Sequence, residues 1–135
     1  MPAPATTAAV ILAAGPSSRM GSPKQLLALE GQSLLRRAAA TALSSSCRPV
    51  IVVLGAHADR LQRELMGLDA TVVENVAWQD GIGSSVRCGI EAVRHARDVD
   101  SAVLMVCDQP LVTSQLIDQL VATHRQDGAA IVACE

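Results

Sequence analysis

Apolar runs and helix-like patterns alternate along the chain from residue 8 onward. Residues 8–14 are continuously apolar and stop at Gly15, which predicts a short strand buried on both faces. Residues 16–26 cluster Ser, Gly and Pro and read as a loop. Ser33 is placed to cap a helix running to about Ser45, with Leu34, Leu35, Ala38, Ala42 and Leu43 on one face. A strand over 49–54 closes at Gly55, and 58–66 reads as a short helix. A third strand is predicted over 70–74, then a loop over 75–85 with no apolar period, then a helix from about Ser84 to Arg97. Residues 102–107 form the strongest strand, because four of the six are Val, Leu or Met. Thr113 caps a helix to about Gln126, Gly128 stops it, and Ala129 to Cys134 begins another strand. Strand–helix units in succession, without repeat or linker, predict one α/β domain over residues 1–135 with a mostly parallel sheet. A chain that stops at the last residue of a buried strand points to a domain incomplete at its C-terminus.

Composition narrows the core. Half of the 135 residues are hydrophobic, yet Trp78 is the only aromatic residue. The core must be built from Ala, Val, Leu and Ile, which suits parallel strands covered by helices on both faces. The net charge of -2 and the lack of a basic run argue against nucleic acid as a partner. Phosphate chemistry must therefore rest on a few placed cations. Cys47, Cys88, Cys107 and Cys134 form no CxxC pair or common zinc spacing, so they read as reduced thiols of a cytosolic protein. Residues 1–7 carry no Lys or Arg, and the run 8–14 is too short to span a bilayer. A soluble, cytoplasmic protein without membrane contact is expected. His57, His95 and His124 lie in or beside predicted helices and read as surface residues.

In an open parallel sheet, ligands bind beyond the carboxyl ends of the strands. Three such loops carry unusual residues. The first runs from Leu12-Ala13-Ala14-Gly15 to Lys24. Its small residues let backbone N–H groups approach phosphate oxygens. Arg19 and Lys24 supply a planar fork and a mobile point charge. No GKS or GKT follows Gly15, so this is not a Walker A loop. The second is Cys107-Asp108-Gln109-Pro110, where a carboxylate at a strand end suits Mg²⁺. A turn-initiating Asp accounts for it equally well. The third, Trp78 to Ser85, holds Asp80, Gly83, Ser84 and Ser85 before a helix and suits an anion or sugar hydroxyls. Plain helix capping explains Ser84 as well.

Together these segments carry a resemblance. LAAGPSSRMGSPK resembles the LAAGxSxRMGxxK signature of the small nucleotidyltransferases that include the molybdenum cofactor guanylyl- and cytidylyltransferases. ENVAWQDGIGSSVRCGIEAV and CDQP resemble the later blocks of the cytidylyltransferase-like branch, and the Ala13-Ala14 pair resembles the CTP-using rather than the GTP-using members. The resemblance implies a Rossmann-like, doubly wound sheet. It also implies nucleobase contacts from the backbone of Leu12, Ala13 and Ala14, phosphate contacts from Arg19 and Lys24, base and ribose contacts near Asp80 and Gly83-Ser84-Ser85, and Mg²⁺ on Asp108. The implied reaction moves CMP from CTP onto a phosphorylated pterin-type acceptor, with a molybdoenzyme as a further partner. Family members continue past the length of this chain with a further acidic metal ligand. The isoprenoid-pathway cytidylyltransferases share a first loop with Pro-Lys-Gln, as at Pro23-Lys24-Gln25, but typically carry His-Asp-Ala-x-Arg-Pro where this chain has Cys107-Asp108-Gln109-Pro110. They stand second, and sugar-phosphate nucleotidyltransferases third. A nucleotide-binding maturation module without turnover remains the reading from another class.

Overall fold

The computed structural model describes residues 6–15, 18–19, 22–26, 28–29, 31–107, 109 and 111–127, with the backbone alone for 18–19, 22–24, 29 and 127. Four parallel strands form its sheet: β1 (Thr6–Ala13), β2 (Val50–Leu54), β3 (Thr71–Glu74) and β4 (Val99–Val106). Their order is β3-β2-β1-β4. The helices are α1 (Leu34–Ser44), α2 (Ala58–Gln62), α3 (Ile82–Arg94) and α4 (Ser114–Asp127). Ile11 on β1 lies level with Val52 on β2 and Met105 on β4. The predicted α/β fold with a doubly wound parallel sheet is what the chain adopts.

Alternation along β1 sorts the core into two layers. Ala9, Ile11 and Ala13 pack with Leu35, Ala39 and Ala42 of α1, Leu61 of α2 and Ile117 of α4. Ala8, Val10 and Ala14 pack with Val93 on α3. A strand buried on both faces has no polar side to alternate, hence the unbroken apolar run. Among the described residues the core is aliphatic apart from Cys47, Met105 and Cys107, and Trp78 only packs against its margin. Gly89 brings α3 close to the sheet, because a Cβ there would lie 2.5 Å from Cγ1 of Val10.

The caps hold as predicted. The Ser33 hydroxyl accepts from the N–H of Arg36 at 3.1 Å, and that of Thr113 from Leu116 at 3.1 Å. Helix α3 ends at Arg94 rather than Arg97, and three further boundaries differ. The helix expected over 58–66 is a short α2 followed by a 3₁₀ turn, Arg63–Leu65. Helix α3 starts at Ile82, two residues before Ser84, with Gly81 at φ 102° as a cap lacking a side chain. Strand β4 starts at Val99 because Thr6 and Thr7 pair with Val99 and Ser101, and the Thr7 and Ser101 hydroxyls bond at 2.8 Å. The loop over 16–26 contains a two-residue antiparallel ladder, Ser18–Arg19 with Ser22–Pro23, and a 3₁₀ turn, Lys24–Leu26. Such short pieces carry no readable period.

Cys47 and Cys88 are free thiols and Cys107 is buried, while Cys134 and the strand expected over 129–134 lie outside the described residues. Burial pushes the Cys47 thiol up, against the opposing pull of the Ser45 hydroxyl, and burial alone raises that of Cys88. Both therefore hold little thiolate at neutral pH. His57 and His95 are exposed and His124 is half-buried. No helix among the described residues is long and apolar enough to cross a membrane.

Candidate active site

The strand order locates the site. The chain steps outward from β1 to β2 to β3, then returns past β1 to place β4 on its other side. The order reverses between β1 and β4, and such a reversal opens a crevice at the carboxyl ends of the two strands. Leu12 sits level with Val106, so the residues following each flank one crevice. Ala14 and Gly15 lie on the β1 side, and Cys107 and Gln109 on the β4 side. Asp108, the expected metal ligand, lies outside the described residues. Gln109 is exposed, and its carbonyl accepts from the N–H of Val112 at 3.2 Å.

The exit of β1 is held by its carbonyls. Ala14 O accepts from the N–H of Ala56 at 3.0 Å, on the β2 side. Nε2 of Gln25 donates to Ala13 O at 3.1 Å and to Gly15 O at 3.3 Å. In a trans peptide the N–H points opposite to the C=O of the same plane. The N–H of Gly15 is thus turned away from β2, toward the crevice, and that of Ala14 away from Gln25. Ala13 and Ala14 are buried, while Gly15 is exposed. Lys24 precedes Gln25 in the same 3₁₀ turn, and Arg19 stands across the small ladder from Ser22. Their backbones leave a single hairpin; their side chains lie outside the described residues.

The loop after β3 is organised by Asn75, which the sequence reading missed. Asn75 is 6% exposed. Its backbone N–H donates to Leu54 O at the end of β2. Its Nδ2 donates to the hydroxyls of Ser84 at 2.9 Å and Ser85 at 3.0 Å, and its Oδ1 accepts from the N–H of Ala77 at 3.0 Å. The Ser84 hydroxyl donates to Ala77 O and Gly81 O. The four expected residues of this loop therefore divide. Asp80 and Gly83 are exposed, whereas Ser84 and Ser85 are buried with their hydroxyls engaged inside the protein. The only sequence signal for Asn75 is its place at the end of β3, directly ahead of the loop.

Gly55 joins this loop to β1. A Cβ there would lie 2.6 Å from Cβ of Trp78 and 2.9 Å from Ala14 O. The loop bearing Trp78 and Asp80 is thereby seated against the ends of β2 and β1, beside the crevice. A small cleft between α1 and the end of β4, lined in part by Arg37, Cys107 and Gln109, adjoins it on the other side.

This arrangement has known relatives. The chain belongs to the MobA-like NTP transferase domain family, which it matches over residues 9–135. It is 38% identical over 128 residues to the bifunctional protein GlmU of Streptomyces avermitilis, covering 92% of this chain and 26% of that protein. It is 34% identical over 117 residues to nicotine blue oxidoreductase of Paenarthrobacter nicotinovorans, covering 86% and 56%. Rv0371c of Mycobacterium tuberculosis superposes with a TM-score of 0.78 at 26% identity, over 90% of this chain and 61% of that one. A manganese complex of the same protein superposes with a TM-score of 0.67 at 28% identity, over 91% and 61%. The chain thus spans about a quarter to three-fifths of the length of these relatives.

Proposed function

We propose that the chain is the nucleotide-binding part of a nucleotidyltransferase. In this reading it moves a nucleoside monophosphate, CMP from CTP, onto a phosphorylated acceptor of the pterin type in the molybdenum cofactor series. One observation carries the reading in a member of this family. The exit of β1 has its carbonyls tied back by Ala56 and Gln25, which turns the N–H of Gly15 toward the switch-point crevice and fixes that of Ala14, and the hairpin bearing Arg19, with Lys24 following it, leaves from the same point. The Ala13-Ala14 pair favours CTP over GTP.

An acceptor phosphate oxygen attacks the α-phosphorus, the bond from the α-phosphorus to the bridging oxygen breaks, and pyrophosphate leaves. The attacking phosphate is already ionised at neutral pH, so no strong general base is required. Positioning and charge neutralisation remain the work of the protein. Backbone N–H groups of Ala14 and Gly15 orient the nucleoside, Asp80 and Gly83 border it from the loop after β3, Arg19 takes the leaving pyrophosphate and Lys24 the α-phosphate.

Among the described residues, no three His, Cys, Asp or Glu side chains cluster as a metal cage. In this reading the divalent cation is carried in on the nucleotide and needs one or two carboxylates besides phosphate oxygens. Asp108 is the residue to supply one, and the cation, Mg²⁺ in this reading, would offset charge on the reacting phosphates.

A second reading is that the chain binds a nucleotide without transferring it; one relative carries the name of an oxidoreductase rather than of a transferase. Thermal-shift measurements with CTP, GTP, UTP and ATP, each with Mg²⁺, test binding, since a ligand held by the folded state alone raises its stability. CTP is expected to give the largest shift; no shift with any of the four overturns the proposal. Pyrophosphate release by the whole protein with molybdopterin then separates transfer from binding. Its absence beside intact CTP binding selects the second reading.

A further inference from the structure

We propose that Gln25 is a positioning residue that sets the β1 exit for the base end of the nucleotide, an inference that rests on the nucleotide reading of this site. Gln25 is 4% exposed, and both bonds of its carboxamide nitrogen go to backbone carbonyls flanking Ala14. Its Oε1 is buried and finds no hydrogen-bond partner among the described residues. That imbalance fixes the orientation of the amide. Turning it over would press Oε1 against two carbonyl oxygens, so the nitrogen must face Ala13 and Gly15.

A buried acceptor without a donor is destabilising. A methionine of similar length and shape would remove it together with the two bonds to Ala13 O and Gly15 O, so gain and loss offset and stability alone does not account for the carboxamide. Features that weaken a fold locally are expected at functional sites. What the carboxamide achieves is conformational. With the Ala13 carbonyl held by Gln25 and the Ala14 carbonyl by Ala56, the planes of both peptides are fixed, and with them the N–H directions of Ala14 and Gly15. These two donors are preorganised before any ligand arrives, which lowers the ordering cost of binding. In the nucleotide reading, phosphate binding rests instead on Arg19 and Lys24, residue types whose long side chains reach a charged group from more than one backbone position.

The test compares CTP with inorganic tripolyphosphate, both with Mg²⁺, by calorimetric titration of the wild-type chain and Gln25→Met. The expected result is a loss of CTP affinity of about tenfold or more, with tripolyphosphate affinity within about threefold of wild type. The melting temperature is expected to move by less than about 4 °C. Unchanged CTP affinity, or an equal loss for both ligands, overturns the role of Gln25. A wild-type chain that binds no nucleotide overturns the site reading instead, so the two failures are distinct. Should Gln25→Met fail to fold, the wild-type side-chain amide provides the measurement. Its NH₂ protons are expected to exchange slowly and to shift on CTP but not on tripolyphosphate; free exchange, or equal shifts with both, overturns the proposal.

Discussion

The two ends of the sheet are fastened by different chemistry. At the amino end, charged side chains tie helices to strands. Arg125 on α4 donates to the Thr7 hydroxyl at 2.9 Å and pairs with Asp100 at 3.1 Å. Asp118 on α4 accepts from the backbone N–H and hydroxyl of Ser46, and Arg48 caps the carbonyls of Leu43 and Ser45. At the carboxyl end the loops after β1 and β3 are fastened, among the described residues, by neutral groups: the amides of Gln25 and Asn75, two serine hydroxyls and a backbone N–H. The charges of Arg125, Asp100, Asp118 and Arg48 are spent within the fold. Around the loops after β1 and β3 uncharged groups hold the frame, and in the proposed reading Arg19 and Lys24 serve the ligand. In that reading, neutral scaffolding would keep local fields from competing with a bound triphosphate.

The largest expected effect tests that division directly. Lys24→Ala in the whole protein is expected to lower kcat about 10²–10³-fold while KM for the nucleotide changes little. In the proposed reading the Lys24 ammonium meets the charge that builds around the α-phosphorus, and an interaction made only in the transition state appears in kcat. Steady-state kinetics beside Arg19→Ala check it; a raised KM with kcat untouched would make Lys24 a holding residue.

Next come two changes to the neutral frame. Asn75→Ala removes donors to Ser84 and Ser85 and an acceptor for Ala77, all in a buried network. A destabilisation of about 2–3 kcal/mol is expected from the orphaned groups, measured by urea unfolding. Gly55→Ala drives a methyl group into Trp78 and the Ala14 carbonyl, at an expected cost of about 1–3 kcal/mol. Because Trp78 is the only tryptophan, its emission reports on this loop alone. A red shift in Gly55→Ala with weakened CTP binding is expected. An unshifted spectrum would mean that the loop is not seated through Gly55.

What was legible beforehand follows from how local each feature is. The buried strand over 8–14 and the caps at Ser33 and Thr113 depend on neighbouring residues, so pattern and cap chemistry reveal them. The start of α3 was misplaced by two residues because Ser84 looked like a cap while its hydroxyl turns inward under Asn75. The extension of β4 through Asp100 and Ser101 comes from pairing with β1, more than ninety positions earlier in the chain, and polar residues hid it. Gln25, Gly55 and Asn75 were invisible as site residues for the same reason: each acts on backbone or hydroxyl groups brought near by folding. The loops that hold the candidate chemistry were readable because strand ends and motif residues are local; the frame that aims them was not.

The smallest effect probes the amino end and is set by pH. Hydrogen bonds from the backbone N–H and the hydroxyl of Ser46 hold the Asp118 carboxyl below its ordinary range, and the Ser101 hydroxyl and Arg125 do the same for Asp100. A carboxyl whose folded pKa is lowered binds a proton more readily when unfolded. Its contribution to stability is complete above the unfolded value, about 3.9, and is lost as pH falls through the lowered folded value. Asp118→Asn keeps an acceptor for Ser46 but removes the charge. At pH 7 the variant is expected to be less stable by about 0.5–1 kcal/mol, the net worth of such a bond near the surface. The difference should narrow below about pH 4, where the wild type protonates and the asparagine does not respond. Urea unfolding of both proteins at pH 7, 5 and 3, each value approximate, measures the gap. A gap that stays constant across that range would mean that Asp118 fastens α4 by shape rather than by charge, and the contrast between the two ends of the sheet would then rest on Arg48, Arg125 and Asp100.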